Sequence, residues 1–245
     1  MKKGERMSKK IFITNDDGIE SDGIVRLAET AKKFGEVWIV APESQRSAAS
    51  HSITLRHPID VHPHEFSVEG VHAFSCSGTP GDCVRVGTLN IMPDKPDVVL
   101  SGINFGYNVA SDIQYSATAG AAFEGEFQGY LSIALSEGIT GCHEVTDRYL
   151  EGVLEELMEK DYVQGQIWNV NFPHCRFEEC KGVLHDRKVS RKAFYTDRYK
   201  AVEEFANGGV SLMVDGIYSP EYEELTDYGA ILDNYVSIGI VRNLC

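Results

Sequence analysis

The 245-residue chain has no apolar run approaching the ~20 residues of a transmembrane helix, which argues against a membrane protein. It is also short of positive charge. Lys and Arg number 23 against 37 Asp and Glu, for a net charge of −14. Nucleic-acid polymers are bound by clustered Lys and Arg that neutralise phosphates, so no DNA or RNA partner is expected. One small phosphorylated molecule held through a metal remains compatible with this charge. The N-terminus, Met1 to Lys10, lacks the apolar middle and cleavage site of a secretory signal. A cytoplasmic protein is expected, with residues 1–8 as a frayed tail.

The six cysteines (Cys76, Cys83, Cys142, Cys175, Cys180 and Cys245) are too dispersed for a disulfide framework. His174-Cys175 with Cys180 suggests zinc, but no second ligand pair follows at finger-like spacing. His57, His62 and His64 are interleaved with prolines and read as solvated edge residues. There is no Gly-x-x-x-x-Gly-Lys-Ser/Thr loop, no Gly-x-Ser-x-Gly elbow and no dinucleotide fingerprint around Gly102–Gly106. An EF-hand starting at Asn15 would place Ile19 where an oxygen ligand is needed. A haloacid-dehalogenase-like nucleophile wants Asp-x-Asp, and the two acids here are adjacent. Internal repeats and low-complexity tracts are also missing.

What is present has the ordinary balance of a soluble globular chain, 42% hydrophobic and 24% charged, long enough for one large α/β domain with an appendage. Strand one spans about 10–14. Ile24, Leu27, Ala28 and Ala31 follow at helical spacing, with Phe34-Gly35 as a C′ stop. Residues 36–40 form a second buried strand, so 10–40 predicts a right-handed parallel crossover. Short alternating pieces at 53–55, 59–62, 66–68 and 71–75 suggest hairpins. Helices are predicted at 80–89, 117–127 and 147–160, and strands at 96–101, 131–135 and 167–171, with a loop over 102–116. Past Pro173 strand-like pieces and acidic turns dominate. The expectation is an α/β Rossmann-like three-layer fold, a parallel sheet with helices on both faces, over residues 9–175. A β-rich C-terminal extension over 176–245 would take part in oligomerisation.

The richest segment is Ile11-Phe12-Ile13-Thr14-Asn15-Asp16-Asp17-Gly18. A buried strand ending in two adjacent carboxylates is costly unless a cation or a donor network offsets the repulsion. Ligands bind beyond the carboxyl ends of strands in such sheets, so this is a divalent-metal site or an Asx turn capping the next helix. Three more polar loops, 44–47, 78–82 and 101–108 running on to 115–118, would converge on the same face. Carboxylates, hydroxyls and carboxamides together make a hard oxygen environment that suits Mg²⁺, Mn²⁺ or Ca²⁺.

Four segments occur in order: Asn15-Asp16-Asp17-Gly18-Ile19; Ala41-Pro42 with Arg46-Ser47-Ala48-Ala49-Ser50; Gly78-Thr79-Pro80 with Asp82-Cys83-Val84; and Ser101-Gly102-Ile103-Asn104-x-Gly106-x-Asn108. With Tyr115-Ser116-x-Thr118, Asn169-Val170-Asn171-x-Pro173, Thr226-Asp227 and Tyr235-Val236-Ser237-Ile238, the chain resembles the SurE family from Ile11 to about Ile240. These stationary-phase survival proteins are metal-dependent nucleoside-monophosphate phosphatases.

The resemblance implies a metal held by Asp16, Asp17, Ser47 and Asn104, one divalent cation per subunit, Mg²⁺ or Mn²⁺, with Ca²⁺ able to replace it in a crystal. It implies Asp16 and Asp17 as catalytic groups, and Asn15, Asn104, Asn108, Ser116 and Thr118 near the substrate phosphate. It implies 5′-nucleotidase activity, extending to 3′-nucleotides and short polyphosphate, in a homodimer or tetramer. The alternatives are a phosphatase of other small phosphorylated substrates and a metal-dependent nucleotide-binding module without turnover. The lesser readings are Ser47 as a helix cap, and Asn104 and Asn108 as turn residues. Arg46 could steer phosphate or pair with a carboxylate, and Asp82 reads as structural. Departures from the family pattern are Ala117, where glycine is usual and a methyl group would narrow the phosphate loop, and Gly239-Ile240 in place of Thr-Pro after the last strand.

Overall fold

Ile11, Phe12 and Ile13 are wholly buried, and their side chains divide between two cores as strand alternation requires. Ile11 and Ile13 pack with Ile24, Leu27, Leu150 and Leu154, while Phe12 packs with Val40, Val84 and Val99. A strand covered on both faces belongs in the middle layer of an α/β fold. The computed structural model describes residues 8–219 and 221–243. Most of the expected N-terminal tail, residues 1–7, and Cys245 lie outside the described residues.

The elements are β1 (Lys9–Thr14), α1 (Asp22–Ala31), β2 (Gly35–Pro42), β3 (Val61–Pro63), β4 (His72–Cys76), α2 (Pro80–Val86), β5 (Val98–Phe105), α3 (Ala117–Phe127), β6 (Leu131–Glu137), α4 (Glu144–Leu157), β7 (Gln166–Phe172), β8 (Val183–Leu184), β9 (Tyr195–Thr196), β10 (Tyr199–Glu204), β11 (Val210–Val214), β12 (Ile217–Tyr218), α5 (Asp227–Leu232) and β13 (Val236–Arg242). The sheet order is β3-β4-β2-β1-β5-β6-β7-β13-β8. Its centre, β4 to β7, is parallel, whereas β3 and β13 pair antiparallel to β4 and β7. α1 and α4 cover one face, and α2 and α3 the other. This is the expected Rossmann-like fold. Strand order reverses between β1 and β5, and the crevice beyond their carboxyl ends is where such sheets place ligands.

α3 is almost entirely buried, as its run of small residues requires. At Gly120 a Cβ would come within 2.6 Å of the Ser50 carbonyl oxygen, so the glycine lets the 44–50 loop close over the helix. α2 carries a capping box. Asp82 accepts from Thr54 N (2.9 Å), Thr54 Oγ1 (2.6 Å) and Thr79 N (3.0 Å), while Thr79 Oγ1 accepts from Asp82 N (3.1 Å). Burial would raise its carboxyl pKa, but the bonds from Thr54 and Thr79 outweigh it and hold the group below its ordinary value. The carboxylate is therefore spent on structure. Asp82→Ala is expected to cost about 2–4 kcal/mol in urea denaturation, because it orphans several donors at once. An unchanged midpoint would show that the loop re-satisfies them.

Several expectations need correction. Gly35 is not a helix stop: α1 ends at Ala31, and Gly35 opens β2, where a Cβ would lie 1.9 Å from the Lys9 carbonyl oxygen. Residues 53–55 and 66–68 form no strand, and only β3 and β4 pair in that region. The loop expected from 102 is strand as far as Phe105, with the β5–β6 register shifting between Ser101 and Asn104. Beyond residue 175 the chain does build two small antiparallel sheets, β10–β11 and β9–β12. It also supplies α5 and then returns to the main sheet, where β13 lies between β7 and β8. Among the described residues no helix is long and apolar enough to cross a membrane.

Candidate metal centre

β1 delivers Asn15, Asp16 and Asp17 to the crevice, and the three side chains go separate ways. Asn15 turns back to close its own loop. Its Nδ2 donates to the Gly18 carbonyl (2.8 Å) and to Ser21 Oγ (2.7 Å), and its Oδ1 accepts from Gly18 N (3.3 Å). With both ends of the carboxamide engaged, Asn15 shapes the turn and is not among the residues lining the two cavities beside it. Asp16 is 3% exposed, and its Oδ1 accepts from Thr118 Oγ1 (2.7 Å) on α3. Thr118 is fully buried, so it orients Asp16 rather than reaching the cavity. Asp17 accepts from Phe105 N (2.9 Å) at the end of β5.

Asp16, Ser47, Asn104, Asn108 and Ser116 line one cavity of about 380 Å³. Asp17 lines an adjoining cavity of about 300 Å³ with Gln45, Glu137 and His143. Gln45 spans the two: its Nε2 donates to Ser47 Oγ (3.0 Å) and lies 3.4 Å from Asp17 Oδ1. Asn104 Nδ2 donates to the Gly106 carbonyl (2.7 Å), which leaves its oxygen as the available ligand atom. Ser116 caps α3 by accepting from Ala119 N (3.0 Å). Asn108 Nδ2 donates to Ser136 Oγ (2.8 Å), and its main chain is clamped by Asn169 and Asn171 on β7.

The electrostatics are lopsided. Burial pushes the Asp16 carboxyl up to about 7, with the Thr118 bond opposing and the Asp17 charge adding to the rise. Burial also raises Asp17, against the hydrogen bonds from Phe105 and Gln45. Asp112 and Asp197 line the larger cavity with Asp16, and no Lys, Arg or His lines it among the described residues. No set of three or more His, Cys, Asp or Glu side chains converges on one point among the described residues. A cation here therefore takes two carboxylates at most, and otherwise neutral oxygens and water. That donor set fits a hard ion of the Mg²⁺ or Mn²⁺ kind. The clustered carboxylates also fit it: an anionic ligand can enter this cavity favourably only with such a charge beside it.

A family model described as "Survival protein SurE" matches residues 11–194. The chain belongs to the SurE family. It is similar to "5'-nucleotidase SurE" of Clostridium botulinum (strain Kyoto / Type A2), at 40% identity over 232 residues, covering 93% of this chain and 90% of the relative. The protein of that name from Thermosipho africanus (strain TCF52B) is 35% identical over 230 residues, covering 93% and 89%. The crystal structure of SurE protein from Aquifex aeolicus superposes with a TM-score of 0.81 at 33% identity, covering 96% of this chain and 94% of that one.

Against the SurE pattern, the two departures take their places in the fold. Ala117 is fully buried and is not among the residues lining the Asp16 cavity. Gly239-Ile240 lies inside β13 rather than after it. A Cβ at Gly239 would sit 2.1 Å from the Arg187 carbonyl oxygen, so glycine admits that neighbouring chain. Arg46 donates from Nη2 to the Ser77 carbonyl (3.1 Å) and is not among the residues lining the Asp16 cavity, while its amide donates to the Asp16 carbonyl (2.7 Å). These two bonds brace the turn. Sequence reasoning missed Ser111, Asp112, Tyr195 and Asp197 as cavity walls. Asp227 was matched as a motif without a role. It accepts from Ala110 N (3.1 Å) and Ser190 N (2.9 Å), tying the loop before α3 to the C-terminal region.

Proposed function

We infer that this SurE-family chain is a divalent-metal-dependent phosphomonoester hydrolase that releases phosphate from nucleoside monophosphates, a 5′-nucleotidase. The observation that carries it is a strand-end cavity lined by carboxylates, hydroxyls and carboxamides with no basic side chain, in a chain 40% identical to a protein named for that activity. Asp16, Asp17, Ser47 and Asn104 are the residues that would hold the cation. When bound, a divalent ion supplies the positive charge that polarises a phosphoryl oxygen and stabilises the charge developing in the transition state.

The chain's own groups do the rest. Thr118 fixes one oxygen of Asp16, and the β5 amide of Phe105 fixes one oxygen of Asp17, so the two carboxylates cannot swing together. Ser116 and the first turn of α3 bring amide donors and the positive end of a helix dipole to the cavity rim, where a phosphate oxygen would sit. The clamp from Asn169 and Asn171 holds Asn108 in the wall of the same cavity. The deciding experiment is phosphate release from AMP, ribose 5-phosphate and polyphosphate with Mg²⁺, with Mn²⁺ and with chelator. Metal-dependent release that favours the nucleotide is expected. A folded, metal-loaded protein that releases nothing would overturn the reading.

The same reading carries a cytoplasmic homodimer or tetramer. Its support is the β10–β11 hairpin, where Tyr199, Leu212, Met213 and Val214 are each more than half exposed. Exposed strands of this kind gain by pairing with a second copy. Light scattering is expected to give at least a dimer at micromolar concentration, and a compact monomer would contradict it.

A further inference from the structure

Ser47 is the least secured of the four residues proposed to hold the cation. It is exposed, and among the described residues its one hydrogen bond comes from the exposed Gln45 (3.0 Å). Its place is set by the turn that carries it. That turn holds two non-glycine residues in the left-handed region, Ala48 at φ 57° and Ser50 at φ 52°. Such backbone is sterically costly and persists only where its surroundings over-determine it. At the near end the Arg46 amide donates to the Asp16 carbonyl (2.7 Å), and at the far end the Ser50 amide donates to the Tyr115 carbonyl (3.0 Å). The next residue, His51, ties the turn to α3 through its side chain. Its Nε2 lies 2.9 Å from Glu124 Oε2, and its ring packs against Phe127 at 5.1 Å. Glu124 is 3% exposed, and its other oxygen, Oε1, accepts from Arg85 Nη1 (3.2 Å) and Gln128 Nε2 (3.0 Å). Burial would raise the Glu124 carboxyl pKa, but the bonds from His51 and Gln128 and the Arg85 charge outweigh it and hold the group below its ordinary value. A carboxylate can only accept, so the His51 nitrogen that faces it carries the hydrogen.

We propose that His51 is a positioning residue: by fastening the 46–51 turn to Glu124 on α3, it holds Ser47 in the wall of the Asp16 cavity. The proposal rests on the hydrolase reading for the role of Ser47 and deepens it. Gly120 makes the tie possible. A Cβ there would come within 2.6 Å of the Ser50 carbonyl oxygen and 2.8 Å of the His51 Cα, so glycine lets this main chain lie on the helix. Glu124 stands one helical turn further on, on the same face, where the His51 ring reaches it. α3 also carries Thr118, whose hydroxyl orients Asp16 (2.7 Å). The helix that His51 grips therefore already fixes one candidate ligand, and the tie gives Asp16 and Ser47 a common frame. Removing the ring leaves Glu124 Oε2 buried without a donor and frees the left-handed backbone to relax. A ligand whose supports loosen costs the site cation affinity, and excess cation can restore it.

The test uses His51→Ala, His51→Phe and His51→Gln. Phe keeps a ring against Phe127 without the donor, and Gln keeps an N–H donor at similar reach. Hydrogen exchange in the metal-free protein reads the turn itself. The Arg46 and Ser50 amides are expected to exchange about 10–100-fold faster in His51→Ala and His51→Phe, and near the wild-type rate in His51→Gln. Calorimetric titration with Mn²⁺ is expected to show affinity about 5–50-fold weaker in the first two variants and largely restored in the third. With AMP, the Mn²⁺ concentration for half-maximal rate should rise by the same factor, while kcat at saturating Mn²⁺ stays within about twofold. Unchanged exchange in His51→Ala, faster exchange with unchanged Mn²⁺ affinity, or a loss that His51→Gln shares in full overturns the proposal. Where the wild type binds Mn²⁺ and releases phosphate, such a result leaves the hydrolase reading standing. A folded wild type that binds neither Mn²⁺ nor Mg²⁺ overturns that reading and the proposal with it.

Discussion

Asp16→Asn is expected to lower kcat by about 10³-fold and, in the same protein, to raise the melting temperature of the metal-free form. Asp16 is nearly fully buried, and burial leads the causes that raise its carboxyl from 3.8 to about 7. An acid raised by folding costs nothing below its unfolded pKa. The cost grows as pH climbs from 3.8 towards 7, because ionisation must then occur in the less favourable folded environment. In chelator the wild type should lose about 2–4 kcal/mol over that interval on this account alone. Asp16→Asn has no such ionisation and should lose correspondingly less. Excess Mg²⁺ should reverse the order, stabilising the wild type by about 2–3 kcal/mol at a hundredfold excess over Kd and the variant by much less. Thermal melts near pH 4 and pH 7.5, with chelator and with Mg²⁺, set beside phosphate release, check every part. Near-wild-type turnover would remove Asp16 from the centre. An Asn variant no more stable than the wild type in chelator at the higher pH would show that the buried charge is not where the cost lies.

The second large effect is expected at a residue that lines neither cavity. Asn171 is fully buried on β7; its Oδ1 accepts from Asn108 N (2.8 Å) and its Nδ2 donates to the Asn108 carbonyl (3.1 Å). Both main-chain groups of Asn108, a residue that lines the Asp16 cavity, are thus fixed by one carboxamide. Asn171→Ala leaves a buried amide without its acceptor and is expected to cost about 2–3 kcal/mol. It should also lower kcat/KM for AMP about 10–100-fold, because a wall displaced by an ångström spoils the alignment of reacting groups. Among the described residues the Asn169 side chain makes one hydrogen bond, to the Asn108 carbonyl (2.9 Å), so Asn169→Ala should do less on both counts. Urea denaturation and steady-state kinetics on the two variants measure it. Equal effects, or an Asn171→Ala enzyme with intact kcat/KM, would break the link between the clamp and catalysis.

Much of the fold was legible because burial on both sides of a sheet leaves a plain record: unbroken apolar runs in β1, β2 and β5, mostly apolar stretches in β6 and β7, and small residues throughout α3. The failures have physical causes. Gly102, at φ 142°, sits where a Cβ would meet the Leu135 carbonyl oxygen at 2.3 Å, so the glycine that suggested a loop is what allows β5 to continue against β6. α5 is six residues long and too brief to show a helical period. At the site, Asp16, Ser47, Asn104, Asn108 and Ser116 could be named because each falls in a motif that resembles the SurE family, within the polar segments at strand ends and helix starts. Tyr195 and Asp197 could not, because they arrive from a region with no periodic pattern and meet the cavity only through tertiary packing.

The place of β13 bears on how the molecule comes into being. Residues 236–242 are synthesised about sixty positions after β7, the strand they flank along six residue pairs. Until they arrive β7 carries an open edge, with Ile167 and Val170 ready to accept any extended chain. The antiparallel insertion therefore acts as a late seal. The residues proposed to hold the cation, from Asp16 to Asn104, emerge early, but the sheet that presents them is complete only when β13 has closed it. Nascent or truncated chains that stop short of this segment are the species in which to look for aggregation and for binding to chaperones.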